Sequence, residues 1–223
     1  MGVHPVLRLY EDVLAPGAPE TAMRPLPRMI FVLLGSVAIG RQKVSSEQAW
    51  HSEAEAVLAP ANGGATCWRF ELAPPDTPEN LCTGGGARSS LKLSASLSSL
   101  PDGDLLWRGD SVGFPPGGCA YLHRHQGPGI RCLIEGAIRI DTLGDSMHYA
   151  PGEAWYEAGL DPVFAQAAPD RPTRFIRVLI LPRDLLGKSS IQYVNEADKV
   201  KPRSQQYKIF VDAPIVFRRS VST

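Results

Sequence analysis

Glycine and proline interrupt this chain at intervals too short for long helices: 21 glycines and 20 prolines fall within 223 residues. Proline lacks the amide hydrogen that a helix interior or a central strand needs, and glycine supplies the positive-φ conformations of tight turns. Punctuation of this density predicts short strands joined by turns. Only Glu47–Leu58 and Pro182–Lys188 have helical character, and both stretches are short. Several strands stand out between the breaks. "SLKLSAS" (Ser90–Ser96) alternates apolar and polar residues with period two, and "GAIRID" (136–141), "RFIRVLIL" (174–181) and "YKIFVDAP" (207–214) are β-rich runs. The most apolar run, Met29–Ile39, reads as a buried strand, or a strand pair broken at Gly35. It is well short of the ~20 residues of a membrane helix. Because it follows a proline-rich stretch, it does not read as a signal peptide either. Residues 1–27 are predicted to be an irregular lead-in.

The two halves of the chain resemble each other. Gly35 matches Gly136, Trp50 matches Trp155 and Arg69 matches Arg177, at offsets of 101, 105 and 108. Each half runs strand, turn, "E-x-A-W" or "E-A-W", proline-bearing loop and a strand with arginine. Two β units are therefore expected, 28–103 and 104–223, built as paired jelly rolls or as one barrel with an extended second sheet.

The chemistry concentrates in "CAYLHRHQGPG", Cys119–Gly129. On a regular strand Cys119, Tyr121, His123 and His125 share one face. Two imidazoles on that face are metal ligands in search of partners, with zinc, iron, copper, nickel and manganese all suited to imidazole nitrogen. Gly117, five residues, His123-Arg-His125, three residues, Gly129, six residues and Gly136 reproduce the spacing of the first cupin motif. "APGEAWYEAGLDPVF" stands where the second motif is expected. The chain thus resembles the cupin superfamily. The resemblance implies an all-β fold, the cupin double-stranded β-helix or jelly roll, duplicated, with a degenerate N-terminal half.

That resemblance also implies four metal ligands, two of which are replaced. Gly129 takes the place of the motif-one glutamate, and the motif-two histidine falls near Phe164. Glu157, in "WYEAG", is the candidate that compensates. His123, His125 and Glu157 would form a two-histidine, one-carboxylate set, which favours Fe(II) among the divalent ions, with Zn, Mn or Ni as alternatives. Tyr121 and Arg131 are the candidates for orienting substrate, and Arg131 and Arg177 for pinning a substrate carboxylate.

Each candidate has a plainer reading. The histidines are structural residues if the metal site has lapsed, Glu157 an exposed turn carboxylate, and Cys119 a small packed thiol. Tyr121 then packs in the core, Arg131 and Arg177 face solvent, Asp161 caps a turn and Glu135 faces water. Trp50 and Trp155 pack each half. His51 and Ser52 occupy the places of Tyr156 and Glu157, so the first half is expected to be structural. "TGGGARS" (83–89) is read as a flexible loop, not a phosphate cradle.

Three functions follow in order: a metal-dependent enzyme acting on a small organic substrate, most often an oxygenase of dioxygenase type; a metal-assisted isomerase or lyase; and a non-catalytic binding cupin. Zero formal net charge gives no reason to expect nucleic acid or membrane as partner. Four cysteines without a CxxC pair or a secretory leader point to reduced thiols and a cytoplasmic protein. A homodimer through late edge strands such as 207–212 is expected.

Overall fold

The structure, a computed structural model, describes residues 4–98 and 100–217. They form two compact units, one of residues up to 98 together with the chain from 215, the other of residues up to 214. Among the described residues there is no α-helix, only two 3-10 turns, Arg183–Leu185 and Glu196–Asp198. No helix among those residues is long and apolar enough to cross a membrane.

The first unit is one antiparallel sheet of eight strands. They are β1 (Val6–Leu14), β2 (Thr21–Met23), β3 (Arg28–Ile39), β4 (Gln42–Ser45), β5 (Ala49–Ser52), β6 (Ala56–Ala73), β7 (Thr83–Gly84) and β8 (Ala87–Ser96). The order is β4-β3-β6-β1-β8-β7, with β2 on β6 and β5 on β3. Three expectations are corrected here. The predicted lead-in holds β1, a central strand paired on both sides. Its alternation is hard to read because a bulge between Leu9 and Tyr10 switches the buried phase. The helical reading of Glu47–Leu58 gives way to β5 and the start of β6. The glycine loop 83–89 is a tight hairpin, Thr83 facing Arg88 and Gly84 facing Ala87.

Met29–Ile39 lies within a single strand that bends at Gly35 rather than breaking there. Gly35 has φ +76°, and a Cβ on it would lie 2.1 Å from the Gly64 carbonyl oxygen, so only glycine permits the approach of β6. The interior of this unit is partly ionic. Arg69 donates through Nε and Nη2 to the two oxygens of Asp12 (2.7 and 3.1 Å). Glu71 lies 2.8 Å from Arg69 Nη1 and 3.3 Å from Arg28 Nε. All four side chains are excluded from water.

The second unit has two five-stranded antiparallel sheets. Its strands are β9 (Leu105–Phe114), β10 (Cys119–His125), β11 (Gly129–Glu135), β12 (Ile138–Thr142), β13 (Asp145–Tyr149), β14 (Ala154–Glu157), β15 (Val163–Ala167), β16 (Thr173–Pro182), β17 (Ile191–Tyr193) and β18 (Gln206–Ile215). One sheet runs β13-β12-β15-β10-β17 and the other β14-β11-β16-β9-β18. This is a jelly roll. Its apolar core includes Val112, Leu133, Ile138, Trp155 and Phe175. Trp155 stacks on Tyr149 at 4.7 Å and meets Phe175 edge-on at 5.2 Å. Burying these flat faces leaves the polar residues of the same strands to line what space remains.

Candidate functional site

The turn Pro115–Gly118 delivers the chain into β10. Gly118 N–H donates to the Pro115 carbonyl (2.9 Å), with proline at the second position and Gly117 at φ +69° in the third. Cys119 and Ala120 face Gln166 and Ala165 of β15, but the next paired residue is His123, opposite Val163. Two residues, Tyr121 and Leu122, thus stand against one, Phe164. This bulge inverts the alternation, so that Ala120, His123 and His125 line the interior while Cys119 and Tyr121 do not. The expectation that Tyr121 orients substrate, and that Cys119 shares the histidine face, is corrected on this ground. Tyr121 instead lies under the Lys201 ammonium, 4.7 Å from its ring centre. Phe164 is also outside the cavity, beneath Arg139; Val163 and Ala165 line the cavity from that strand.

The two imidazoles converge. His123 Nε2 and His125 Nε2 are 3.3 Å apart, with the rings nearly perpendicular. His123 Nδ1 lies 2.7 Å from the Tyr121 carbonyl, which only accepts, so the ring proton sits on Nδ1 and Nε2 carries a lone pair. His125 Nδ1 meets the Ser190 hydroxyl at 3.3 Å, a partner able to donate or accept. Burial pushes both histidines below the ordinary imidazole range, and for His125 the Arg177 and Arg131 charges push further. Both are neutral at pH 7, the form that binds metal.

Four residues in register form a row across the opposite sheet: Trp155 beside Arg131, Arg131 beside Arg177, Arg177 beside Asp110. Arg131 and Arg177, expected at the surface by the plainer reading, are both buried. Arg177 is bidentate on Asp110 (Nε 2.9 Å, Nη2 2.6 Å), leaving Nη1 turned to His125 Nε2 at 3.5 Å. Although burial disfavours its charge, the Asp110 carboxylate more than offsets this and holds the Arg177 pKa above its usual value. Arg131 donates to the Gly129 carbonyl (2.7 Å) and pairs with Glu157 Oε2 (2.7 Å). Burial brings Arg131 down to about 10 in spite of that carboxylate. Glu157 also accepts from Trp155 Nε1 (2.9 Å), and its Oε2 lies 3.8 Å from His125 Nε2. With neutral imidazoles, two guanidinium groups and two carboxylates, the site carries no net charge. The cavity at its centre holds about 20 Å³. That is room for one water or one ion.

An ion held at about 2.1 Å separates neighbouring nitrogens by roughly 3.0–3.4 Å, which the histidine pair already matches. Glu157 shares the cavity with them, but its carboxylate is committed to Arg131. Among the described residues no three His, Cys, Asp or Glu side chains form a finished metal cluster. The place of the motif-one glutamate is closed. A Cβ on Gly129 would lie 2.2 Å from the Val178 carbonyl oxygen, 2.7 Å from Leu179 Cδ2 and 3.1 Å from Arg131 Nη1. Gly129→Glu is therefore expected to destabilise the second unit by about 3 kcal/mol or more, without raising metal affinity. Thermal denaturation and metal titration of that variant check it, and a stable, tighter-binding variant contradicts it.

Sequence reasoning missed Asp110, Ser190 and Gln205. Asp110 had one legible signal, its burial-compatible place in the strand "LLWRGDSVGF". Ser190 and Gln205 had none, since both lie in irregular chain, Ser190 against His125 and Gln205 on the cavity wall.

No protein-family model and no curated protein matches the chain. Solved structures do. AerE from Microcystis aeruginosa superposes with a TM-score of 0.56 at 14% identity, covering 80% of this chain and 93% of its own. A deletion mutant of Bacillus subtilis oxalate decarboxylase gives 0.61 at 14% identity over 87% of this chain and 73% of its own. The formate complex of Lactobacillus farciminis oxalate decarboxylase gives 0.61 at 13% over 87% and 82%. At these identities the likeness is one of fold. Taken with the glycine-to-glycine spacing around His123 and His125 and the two-sheet jelly roll that carries them, it establishes that this chain has the cupin fold.

Proposed function

We propose that the second unit binds a divalent metal ion through His123 Nε2 and His125 Nε2, with Glu157 as third ligand, and acts on a small organic molecule by oxygenation. The observation that carries this reading is the 3.3 Å convergence of two buried, neutral imidazole nitrogens whose other nitrogens are already engaged. His123, His125 and Glu157 would hold ferrous iron, which would supply open coordination positions for dioxygen and substrate.

The protein's own part is positional. The Tyr121 carbonyl and the Ser190 hydroxyl fix the two ring orientations. Trp155 Nε1 holds one oxygen of Glu157, and the other, paired with Arg131 in this structure, would turn to the ion. Arg131, when released by Glu157, offers a planar pair of N–H donors to substrate. The apolar walls Val112, Phe175 and Val163 keep bulk water from the reacting atoms.

Elemental analysis of protein purified without chelator tests the reading. One ion per chain is expected, with affinity falling about a hundredfold or more in His123→Ala. That is beyond the roughly ten- to hundredfold that loss of an outer contact produces. Oxygen uptake by the iron-loaded protein with candidate substrates separates oxygenation from isomerase or lyase chemistry. Protein that binds no ion supports the second reading, a binding cupin without chemistry, which the tight Arg131–Glu157 pair favours.

A further inference from the structure

We propose that Met147 is a modification site: hydrogen peroxide oxidises its thioether to the sulfoxide, and Tyr149 and Trp155 pass the change to Glu157. The modification requires neither a bound ion nor a substrate, and so goes beyond the oxygenase reading. In the reaction a lone pair on Sδ attacks one oxygen of the peroxide. An S–O bond forms, the O–O bond breaks, and the leaving hydroxide takes the proton of the transferred oxygen and departs as water. Sulfur is oxidised by two electrons, and the peroxide is reduced by the same two.

The fold presents this sulfur to an oxidant and withholds the others. Met147 lies on β13, the edge strand of its sheet, which pairs with β12 alone. Its side chain is 40% exposed, whereas Met23 and Met29 are 2% and 0% exposed. Met1 lies outside the described residues. Of the cysteines, Cys67, Cys82 and Cys132 are buried. Cys119 is partly exposed, but burial pushes its thiol up, away from the thiolate form that peroxide attacks.

What sets Met147 apart from any exposed thioether is the column of side chains behind it. The Tyr149 hydroxyl donates to Met147 Sδ at 3.4 Å. The Tyr149 ring stacks on Trp155, with centres 4.7 Å apart and planes at 24°. Trp155 Nε1 donates to Glu157 Oε1 at 2.9 Å, and Glu157 Oε2 pairs with Arg131. A surface sulfur is thus joined to the carboxylate of the candidate site through one hydroxyl and two flat rings. Thioether sulfur is a weak acceptor. Oxidation replaces it with a polar oxygen one bond away, so the Tyr149 hydroxyl either turns to that oxygen or gives up its partner. Met147 also stands opposite the buried Ile140 across the β12–β13 ladder, an apolar neighbour that the sulfoxide suits poorly. In both cases the contact that seats Tyr149 on Trp155 changes, and the indole that holds Glu157 shifts with it.

The test treats the full chain with hydrogen peroxide in the presence of chelator and follows two signals. Peptide mass spectrometry is expected to find one added oxygen on Met147, formed about tenfold or more faster than on Met23 or Met29. Nuclear magnetic resonance of the indole N–H of Trp155, assigned by its loss in Trp155→Phe, reads the bond to Glu157. That signal is expected to move in step with Met147 oxidation in the wild type. In Met147→Leu, which keeps the volume and removes the sulfur, peroxide is expected to leave it in place. Tyr149→Phe, which keeps the ring and removes the hydroxyl, is expected to be oxidised at Met147 with at most half the wild-type shift. Oxidation of Met23 or Met29 as fast as Met147 overturns the proposal, as does a Trp155 signal that stays still in the oxidised wild type. A signal that moves equally in Met147→Leu overturns it as well. Because chelator is present throughout, none of these outcomes depends on whether the histidine pair binds an ion.

Discussion

Asp12→Ala is expected to remove about 3–5 kcal/mol from the stability of the first unit. Asp12 accepts two hydrogen bonds from Arg69 and one from Ser89, and neither Asp12 nor Arg69 reaches water. Without it, Arg28 and Arg69 share the single carboxylate of Glu71, so one buried positive charge has no counterion. The loss is a large part of the roughly 5–15 kcal/mol that holds a domain folded. Urea denaturation measures it. Replacing both partners, Asp12→Leu with Arg69→Met, is expected to recover most of the loss, because the desolvation of both charges disappears together. A single mutant that loses less than about 1 kcal/mol would show that water reaches the network and would refute the dry interior described above.

Below neutral pH the metal-free protein is expected to lose stability steeply, and the histidine pair is the cause. Burial holds His123 and His125 below the imidazole value of 6.5, further for His125 because Arg177 and Arg131 face it. An imidazole whose pKa is lower folded than unfolded binds more protons in the unfolded chain. Its stabilisation is therefore complete above the unfolded value of about 6.5 and is lost as pH falls towards the folded one. Each such histidine contributes a slope approaching 1.4 kcal/mol per pH unit, so two approach about 2.7. His51, lowered by burial in spite of its bond to the Arg28 carbonyl, adds in the same direction. Denaturant titrations at pH 7.5, 6.5 and 5.5 with chelator present (values chosen around the ~6.5 reference) read the slope directly. His125→Gln is expected to lower it by up to about 1.4 kcal/mol per pH unit, and equal slopes in the two proteins would assign the acid sensitivity elsewhere.

Much of this architecture was legible in the chain. Glycine and proline spacing set the strand lengths, because turns need those residues wherever the backbone reverses. The Gly117–Gly136 spacing located the histidine pair, and Glu157, chosen for its place in "WYEAG" at the second motif, lines the same cavity. The matched arginines of the two halves, Arg69 and Arg177, each prove to be bidentate on a buried aspartate. Those are local properties: a turn, a period of two, a short motif.

What the tertiary structure decided lies at the places where local rules are broken or distant residues meet. A bulge adds one residue and inverts every face after it, so the bulges at Leu9/Tyr10 and at Tyr121–Leu122 turned β1 and Tyr121 against their apparent pattern. Arg131 and Arg177 stayed open between a substrate-binding and a surface reading because an arginine is buried only beside a counterion, and theirs come from Glu157 and from Asp110, 67 residues before Arg177. Gln205 gave no signal at all, since a donor left without an acceptor exists only once the walls around it have closed. The sequence by itself determined the jelly roll and its two histidines. The charges that surround them, and the space they leave, were settled by strands brought together from distant parts of the chain.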